Sequence, residues 1–122
     1  MQKIILVVED DPDMRELIGL HLRTAGYAVR SAANGLQAAA SCLAVRPDLI
    51  ISDVHMPRLS GFDMIKILKS EGEMKDIPVI FLTADEGRRD RGNELGAVEY
   101  LTKPIKTEDL LEAVLRHLPA PR

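Results

Sequence analysis

The chain has 122 residues, enough for one domain around one core and not for two. Its 16 Lys and Arg against 19 Asp and Glu leave a net charge of −3, which argues against the basic stripe of a nucleic-acid-binding module. One cysteine, Cys42, excludes an internal disulfide and suits a reducing cytoplasm, while 2 Tyr, 2 Phe and no Trp are too few for base-stacking or carbohydrate platforms.

Two hydrophobic periods alternate along the chain. Residues 3–8 are a near-continuous apolar run, the mark of a strand covered on both faces. The run is too short to span a membrane, and Glu9 and Asp10 follow it at once, so it is not a signal-peptide core. Asp11-Pro12 opens a helix, with Asp as N-cap and Pro at the first helical position. Met14, Leu17, Ile18, Leu22 and Ala25 follow at helical spacing as the inward face, and Gly26 closes the segment. Residues 27–31 are short and half polar, an edge strand. A second helix is predicted over 34–45, with Leu36, Ala39, Ala40 and Leu43 facing in, ended by Arg46-Pro47.

Residues 49–52 form the next buried strand, which stops at Asp53. Ser60 caps a third helix carrying Phe62, Ile65 and Leu68, with Asp63 placed for a capping box. Residues 78–82 are the fourth strand, with its proline at the start, where no ladder bond is lost. The segment 85–96 holds Gly87, Gly92 and three arginines, and Leu95 is its one large apolar residue, which predicts a short, marginal and mobile helix. Residues 98–102 are the fifth strand. The last helix starts at Thr107, with Glu108 and Asp109 at its positive end and Arg116 and His117 at its negative end. Its inward stripe is Leu110, Leu111, Val114 and Leu118. Residues 1–118 read as one unit, with 119–122 a short tail and no output domain among the 122 residues.

Alternating buried strands and helices predict a parallel α/β sheet with helices on both faces. Ligands in such sheets bind at the carboxyl ends of the strands, where the strand order reverses. Glu9, Asp10 and Asp11 follow the first strand, Asp53 the third, Thr83 the fourth and Lys103 the fifth. With the first and third strands adjacent, carboxylates, a hydroxyl and an ammonium gather at one edge. Carboxylates at close range repel unless a cation intervenes, and a hard divalent ion such as Mg²⁺ resolves the conflict. An Asp beside Mg²⁺, a lysine and a hydroxyl is what phosphoryl transfer onto a carboxylate requires. Thr83 would then donate a hydrogen bond to the phosphoryl group.

Four motifs carry a resemblance: Val7-Val-Glu-Asp10, Asp53-Val-His-Met-Pro57, Thr83-Ala84 and Lys103-Pro104. In this order and spacing, and over essentially the whole chain, the sequence resembles bacterial two-component response-regulator receiver domains. The resemblance implies a flavodoxin-like fold of strand order 2-1-3-4-5. It implies Asp53 as phospho-acceptor, and Mg²⁺ on Glu9, Asp10, Asp53 and the His55 backbone carbonyl. It makes Thr83 the switch hydroxyl, Lys103 the site lysine and Tyr100 the switch aromatic, and it implies a cis bond before Pro104. The donor would be a phosphohistidine on a sensor histidine kinase or a histidine phosphotransfer protein. Phosphorylation would switch a face of the fourth helix, fifth strand and fifth helix toward a protein target. Nucleic acid and membrane are not expected partners, and dimerisation through that face is an option the residues do not decide. Such a domain gains and loses its own phosphoryl group and is not a turnover enzyme.

The sequence also departs from the family pattern. Glu9 stands where Asp is commoner, and His55, two residues after Asp53, sits at the site mouth, where it would affect water access and phosphoryl lifetime. The stretch 83–103 is about two residues shorter than usual, roughly half a helical turn. Other residues have structural readings: Asp11 as N-cap outside the metal site, Asp13 facing the helix dipole, and His21 and His117 as packing or dipole residues. Cys42 reads as a small buried hydrophobe, and Arg88, Arg89 and Arg91 as a solvated face that could meet an acidic partner.

Three other functions compete. An aspartyl-phosphate phosphatase of the haloacid dehalogenase kind wants an Asp where His55 stands. A flavodoxin-like nucleotide or flavin binder wants amides where Glu9-Asp-Asp11 would repel a phosphate. A phosphorylation-independent receiver-like interaction module would not need the acceptor, acidic pair and lysine together.

Overall fold

The computed structural model describes residues 2–119 of the chain. Five strands, β1 (Ile4–Val8), β2 (Ala28–Ala32), β3 (Leu49–Ser52), β4 (Val79–Thr83) and β5 (Glu99–Thr102), form one parallel sheet of order β2-β1-β3-β4-β5. The expected flavodoxin-like order is the observed one. The helices α1 (Pro12–Thr24), α2 (Gly35–Ala44), α3 (Gly61–Ser70), α4 (Arg89–Glu94) and α5 (Thr107–Leu115) alternate with the strands. Of the tail 119–122, only Pro119 lies within the described residues. Among these residues no helix is long and apolar enough to cross a membrane.

Alternating side chains of the buried strands build two cores. Ile5, Val7, Leu49, Ile51, Ile80 and Leu82 point to one face, where Ile18 and Leu22 of α1 and Leu110, Ala113 and Val114 of α5 cover them. Leu6, Val8, Ile50, Val79 and Phe81 point to the other, under Ala38 and Cys42 of α2 and Phe62, Met64, Ile65 and Leu68 of α3. Cys42 is the small buried hydrophobe expected of it.

The two predicted caps hold, Asp11 accepting from the N–H groups of Asp13 and Met14 and Ser60 from that of Asp63, and Asn34 caps α2 by accepting from that of Gln37. The capping box is half formed, because the Asp63 carboxylate faces Lys66 at 3.9 Å. At the end of α5, Arg116 and His117 both bond Glu99 of β5, at 2.8 and 2.9 Å.

The inward face of α2 is not the one predicted. Gly35, Ala38 and Cys42 are buried, whereas Leu36 and Leu43 are 56% and 71% exposed. This helix is apolar on most sides, so periodicity alone does not fix its rotation, and close packing selects its small residues. Leu17 of α1 is likewise half exposed, on the wall of a groove of about 560 Å³ between α1 and α5.

Arg58, in the loop after β3, has a left-handed backbone (φ 68°). An L-residue there costs about 1–2 kcal/mol, part of which a glycine returns through its freer unfolded chain. Arg58→Gly should therefore stabilise by about 0.5–1 kcal/mol, read from the urea midpoint; a midpoint that falls would contradict this.

Candidate functional site

The chain leaves β1 toward β2 on one side and returns to place β3 on the other. The order reverses between β1 and β3, so the residues just past these strands share one crevice. The Glu9 N–H donates to the Ala32 carbonyl and the Asp53 N–H to the Val8 carbonyl, both at 3.0 Å. Both residues thus continue the sheet ladder by one step. Gly61 seats the following loop, its N–H donating to the Val54 carbonyl at 2.8 Å. A Cβ on Gly61 would stand 2.2 Å from the Asp53 carbonyl oxygen.

Glu9 is only 2% exposed. Its Oε2 accepts from the Asp11 N–H (3.2 Å) and its Oε1 from Lys103 Nζ (2.5 Å). Asp53 Oδ1 accepts from the Val54 N–H (2.6 Å) and the His55 N–H (3.3 Å), while Oδ2 accepts from Lys103 Nζ at 2.9 Å. Lys103 is anchored in turn by its own N–H, which donates to the Thr83 carbonyl at 2.8 Å, and the Lys103–Pro104 bond is cis as expected. Burial pushes the Glu9 carboxyl above its ordinary 4.5, against the opposing pull of Lys103. Burial works against the Lys103 ammonium too, but its bonds to Glu9 and Asp53 outweigh that and hold it above 10.5.

Glu9, Asp10 and Asp53 each offer a carboxylate oxygen, all within 4.8 Å of one another. Asp11 stays outside, occupied as the α1 cap. Lys103 bonds Glu9 and Asp53, so three carboxylates share one ammonium, and a hard divalent cation with oxygen ligands fits the excess.

Thr83 is buried at the end of β4, the neighbour of β3. The register sets Ser52 opposite Phe81, which brings Thr83 near the level of Asp53. Its Oγ1 accepts from the Asp85 N–H at 3.3 Å. Tyr100 is buried and tucked inward. Its hydroxyl donates to the Asp85 carbonyl, its ring packs edge-on to Phe81 with centroids 6.2 Å apart, and burial pushes the phenol up. Gly92 of α4 makes the room, because a Cβ there would stand 2.8 Å from the Tyr100 ring.

The sequence-predicted residues Glu9, Asp10, Asp53, Thr83, Lys103 and the His55 backbone thus meet at one sheet edge. Besides Gly92, two others carry weight that sequence reasoning missed. Arg89 lies on the exposed face with Arg88 and Arg91, as expected, but its guanidinium also lies 5.2 Å from the Tyr100 ring centroid and donates to the Tyr100 carbonyl. Asp85 accepts from the Tyr100 hydroxyl through its carbonyl, gives its N–H to Thr83, and pairs its carboxylate with His55 Nε2 at 2.5 Å. Its position two residues beyond Thr83, matching His55 two beyond Asp53, was the available signal.

Comparison with known proteins gives a consistent result. Residues 5–115 match the family model of the response regulator receiver domain. The phosphate regulon transcriptional regulatory protein PhoB of Pseudomonas aeruginosa is 41% identical over 119 residues, covering 93% of this chain and 52% of that protein. The chain spans about half the length of the first curated relatives it matches. Among solved structures, the Vibrio cholerae chemotaxis protein CheY4 superposes with a TM-score of 0.91 at 34% identity, over 97% of this chain and 100% of that one. The receiver domain of the Pseudomonas aeruginosa sensor histidine kinase PA1611, solved with a magnesium ion in its active-site cleft, gives 0.89 at 33% identity, over 96% and 98% of the two chains.

Proposed function

Because this chain belongs to the response regulator receiver domain family, we propose that it accepts a phosphoryl group on Asp53 and thereby switches a protein-interaction face. The observation that carries the reading is the Asp53 carboxylate itself. It lies in reach of Glu9 and Asp10, is held by Lys103 at 2.9 Å, and ends the strand beside the one that ends in Thr83. Lys103 holds the Asp53 carboxylate in place, and its ammonium faces the oxygens of an incoming phosphoryl group. Glu9, Asp10, Asp53 and the His55 backbone carbonyl would hold Mg²⁺, which supplies neutralisation of the phosphoryl oxygens. Thr83 turns its hydroxyl to the new phosphoryl group, gives up the Asp85 N–H, and so loosens the segment that holds Tyr100.

The donor is a phosphohistidine on a sensor histidine kinase or a histidine phosphotransfer protein, and the target is a protein meeting α4, β5 and α5. Residues 1–118 act as the receiver unit, within the cytoplasm, as a signalling domain and not a turnover enzyme. The phosphorylation-independent alternative leaves the convergence of Glu9, Asp10, Asp53 and Lys103 without a purpose. The test is acetyl phosphate with Mg²⁺, followed by intact mass. The wild type should gain one phosphoryl group only with the metal present, and Asp53→Asn none. Equal uptake by the two proteins would overturn the assignment.

A further inference from the structure

Arg15 stands where a helix least favours it. It is the fourth residue of α1, at the close of the first turn, where the positive end of the helix dipole suits Asp13 and disfavours a cation. Half-buried, it pairs with no carboxylate among the described residues. Instead the side chain reaches back toward the start of the helix, and Nη1 donates to the Glu9 carbonyl at 2.8 Å. β2 ends at Ala32, whose carbonyl takes the Glu9 N–H, and among the described residues no backbone N–H reaches the Glu9 carbonyl. The guanidinium fills the place of that missing ladder partner.

The bond completes the hold on Glu9. Its N–H, its carbonyl and both carboxylate oxygens are each in a hydrogen bond, to Ala32, Arg15, Asp11 and Lys103. The Lys103 ion pairs go to Glu9 and Asp53, so the exposed Asp10 carboxylate is placed by its backbone. That backbone begins with the planar Glu9–Asp10 peptide, whose carbonyl is the one Arg15 holds. We propose that Arg15 is a positioning residue for the cation site, which fixes this peptide, holds Asp10 in register with Glu9 and Asp53, and so favours Mg²⁺ over a larger ion. The inference rests on the reading of Glu9, Asp10 and Asp53 as that site. Mg²⁺ demands near-ideal geometry at about 2.0–2.1 Å, whereas Ca²⁺ accepts flexible ligands at about 2.3–2.6 Å. A fixed peptide therefore serves Mg²⁺ and matters little to Ca²⁺. Charge alone would act the other way, because a cationic side chain beside the site repels both ions alike.

The test is calorimetric titration of wild type, Arg15→Met and Ile18→Val with magnesium chloride and with calcium chloride, no phosphodonor being present. Arg15→Met keeps much of the unbranched stem and removes the donor and the charge. It should bind Mg²⁺ about tenfold more weakly, the loss usual for a residue that orients a metal ligand, and Ca²⁺ no more than about threefold more weakly. Ile18→Val loosens the buried face of the same helix without touching the Glu9 carbonyl, and should bind both ions as the wild type does. Unchanged or tighter Mg²⁺ binding by Arg15→Met, an equal loss for the two ions, or a matching loss in Ile18→Val would overturn the role of Arg15 while leaving the cation site in place. No Mg²⁺ binding by the wild type would overturn the site itself, and with it the reading of Asp53 as a metal-dependent acceptor.

Discussion

Lys103→Met is expected to lose about 3 kcal/mol of stability near neutral pH, because it strands a buried carboxylate without its counter-charge. Glu9 is almost fully buried, and its nearest compensation is the Lys103 ammonium at 2.5 Å. The loss should depend on pH in a definite sense. The folded-state pKa of Glu9 is already raised above 4.5, so its ionisation costs stability as pH climbs through that range. Without Lys103 the pKa rises further, and the penalty continues to grow over a wider range. Below 4.5 Glu9 is protonated in both the folded and unfolded states, and most of the gap between variant and wild type should close. On the alkaline side, the wild-type Lys103 pairing with its ionised carboxylates holds up to 10.5 and is lost as pH rises through the raised lysine pKa. Urea midpoints measured from acid to alkaline pH test this, and a penalty that is flat with pH would mean Lys103 contributes packing alone. Excess Mg²⁺ should restore part of the lost stability, since it binds the folded carboxylates and not the unfolded chain.

Gly61→Ala should cost about 3 kcal/mol and impair phosphoryl uptake at the same time. The added methyl group would overlap the Asp53 carbonyl oxygen at 2.2 Å and crowd the Phe81 ring at 2.9 Å. Backbone on one side and a fully buried ring on the other cannot both yield. The loop would move, and Asp53 with it, so uptake from acetyl phosphate should fall on the order of tenfold or more. Gly72→Ala is the matched control, with nothing within 4 Å of its Cβ, and should change stability by less than about 0.5 kcal/mol. Wild-type stability and uptake in Gly61→Ala would contradict this account of how the acceptor is held.

The strands were legible because residues 4–8 and 49–51 are apolar without interruption, and only a sheet covered on both faces makes use of such runs. The starts of α1 and α3 were legible because Asp11 and Ser60 carry their signal in their own side chains. The rotation of α2 was not: with leucine, alanine and cysteine on several sides, the choice of Ala38 and Cys42 over Leu36 and Leu43 depends on the space left by α3 and the sheet. The acceptor site was legible because each member ends a strand or lies within two residues of a strand end. Arg89, Gly92 and Asp85 were not, since each acts on a group brought to it by the fold. Nothing local to Gly92 says that the Tyr100 ring will occupy the place of its missing Cβ.

The central claim is that Asp53 carries the phosphoryl group, and the most direct measurement locates that group chemically. Protein loaded with acetyl phosphate and Mg²⁺ is reduced with borohydride, which converts an aspartyl phosphate to homoserine, and its peptides are then mapped by mass. The account predicts homoserine at position 53 in the wild type, dependent on Mg²⁺ and absent from protein that saw no donor. Homoserine at another acidic residue, or an unmodified position 53 in protein that has gained a phosphoryl group, would contradict it.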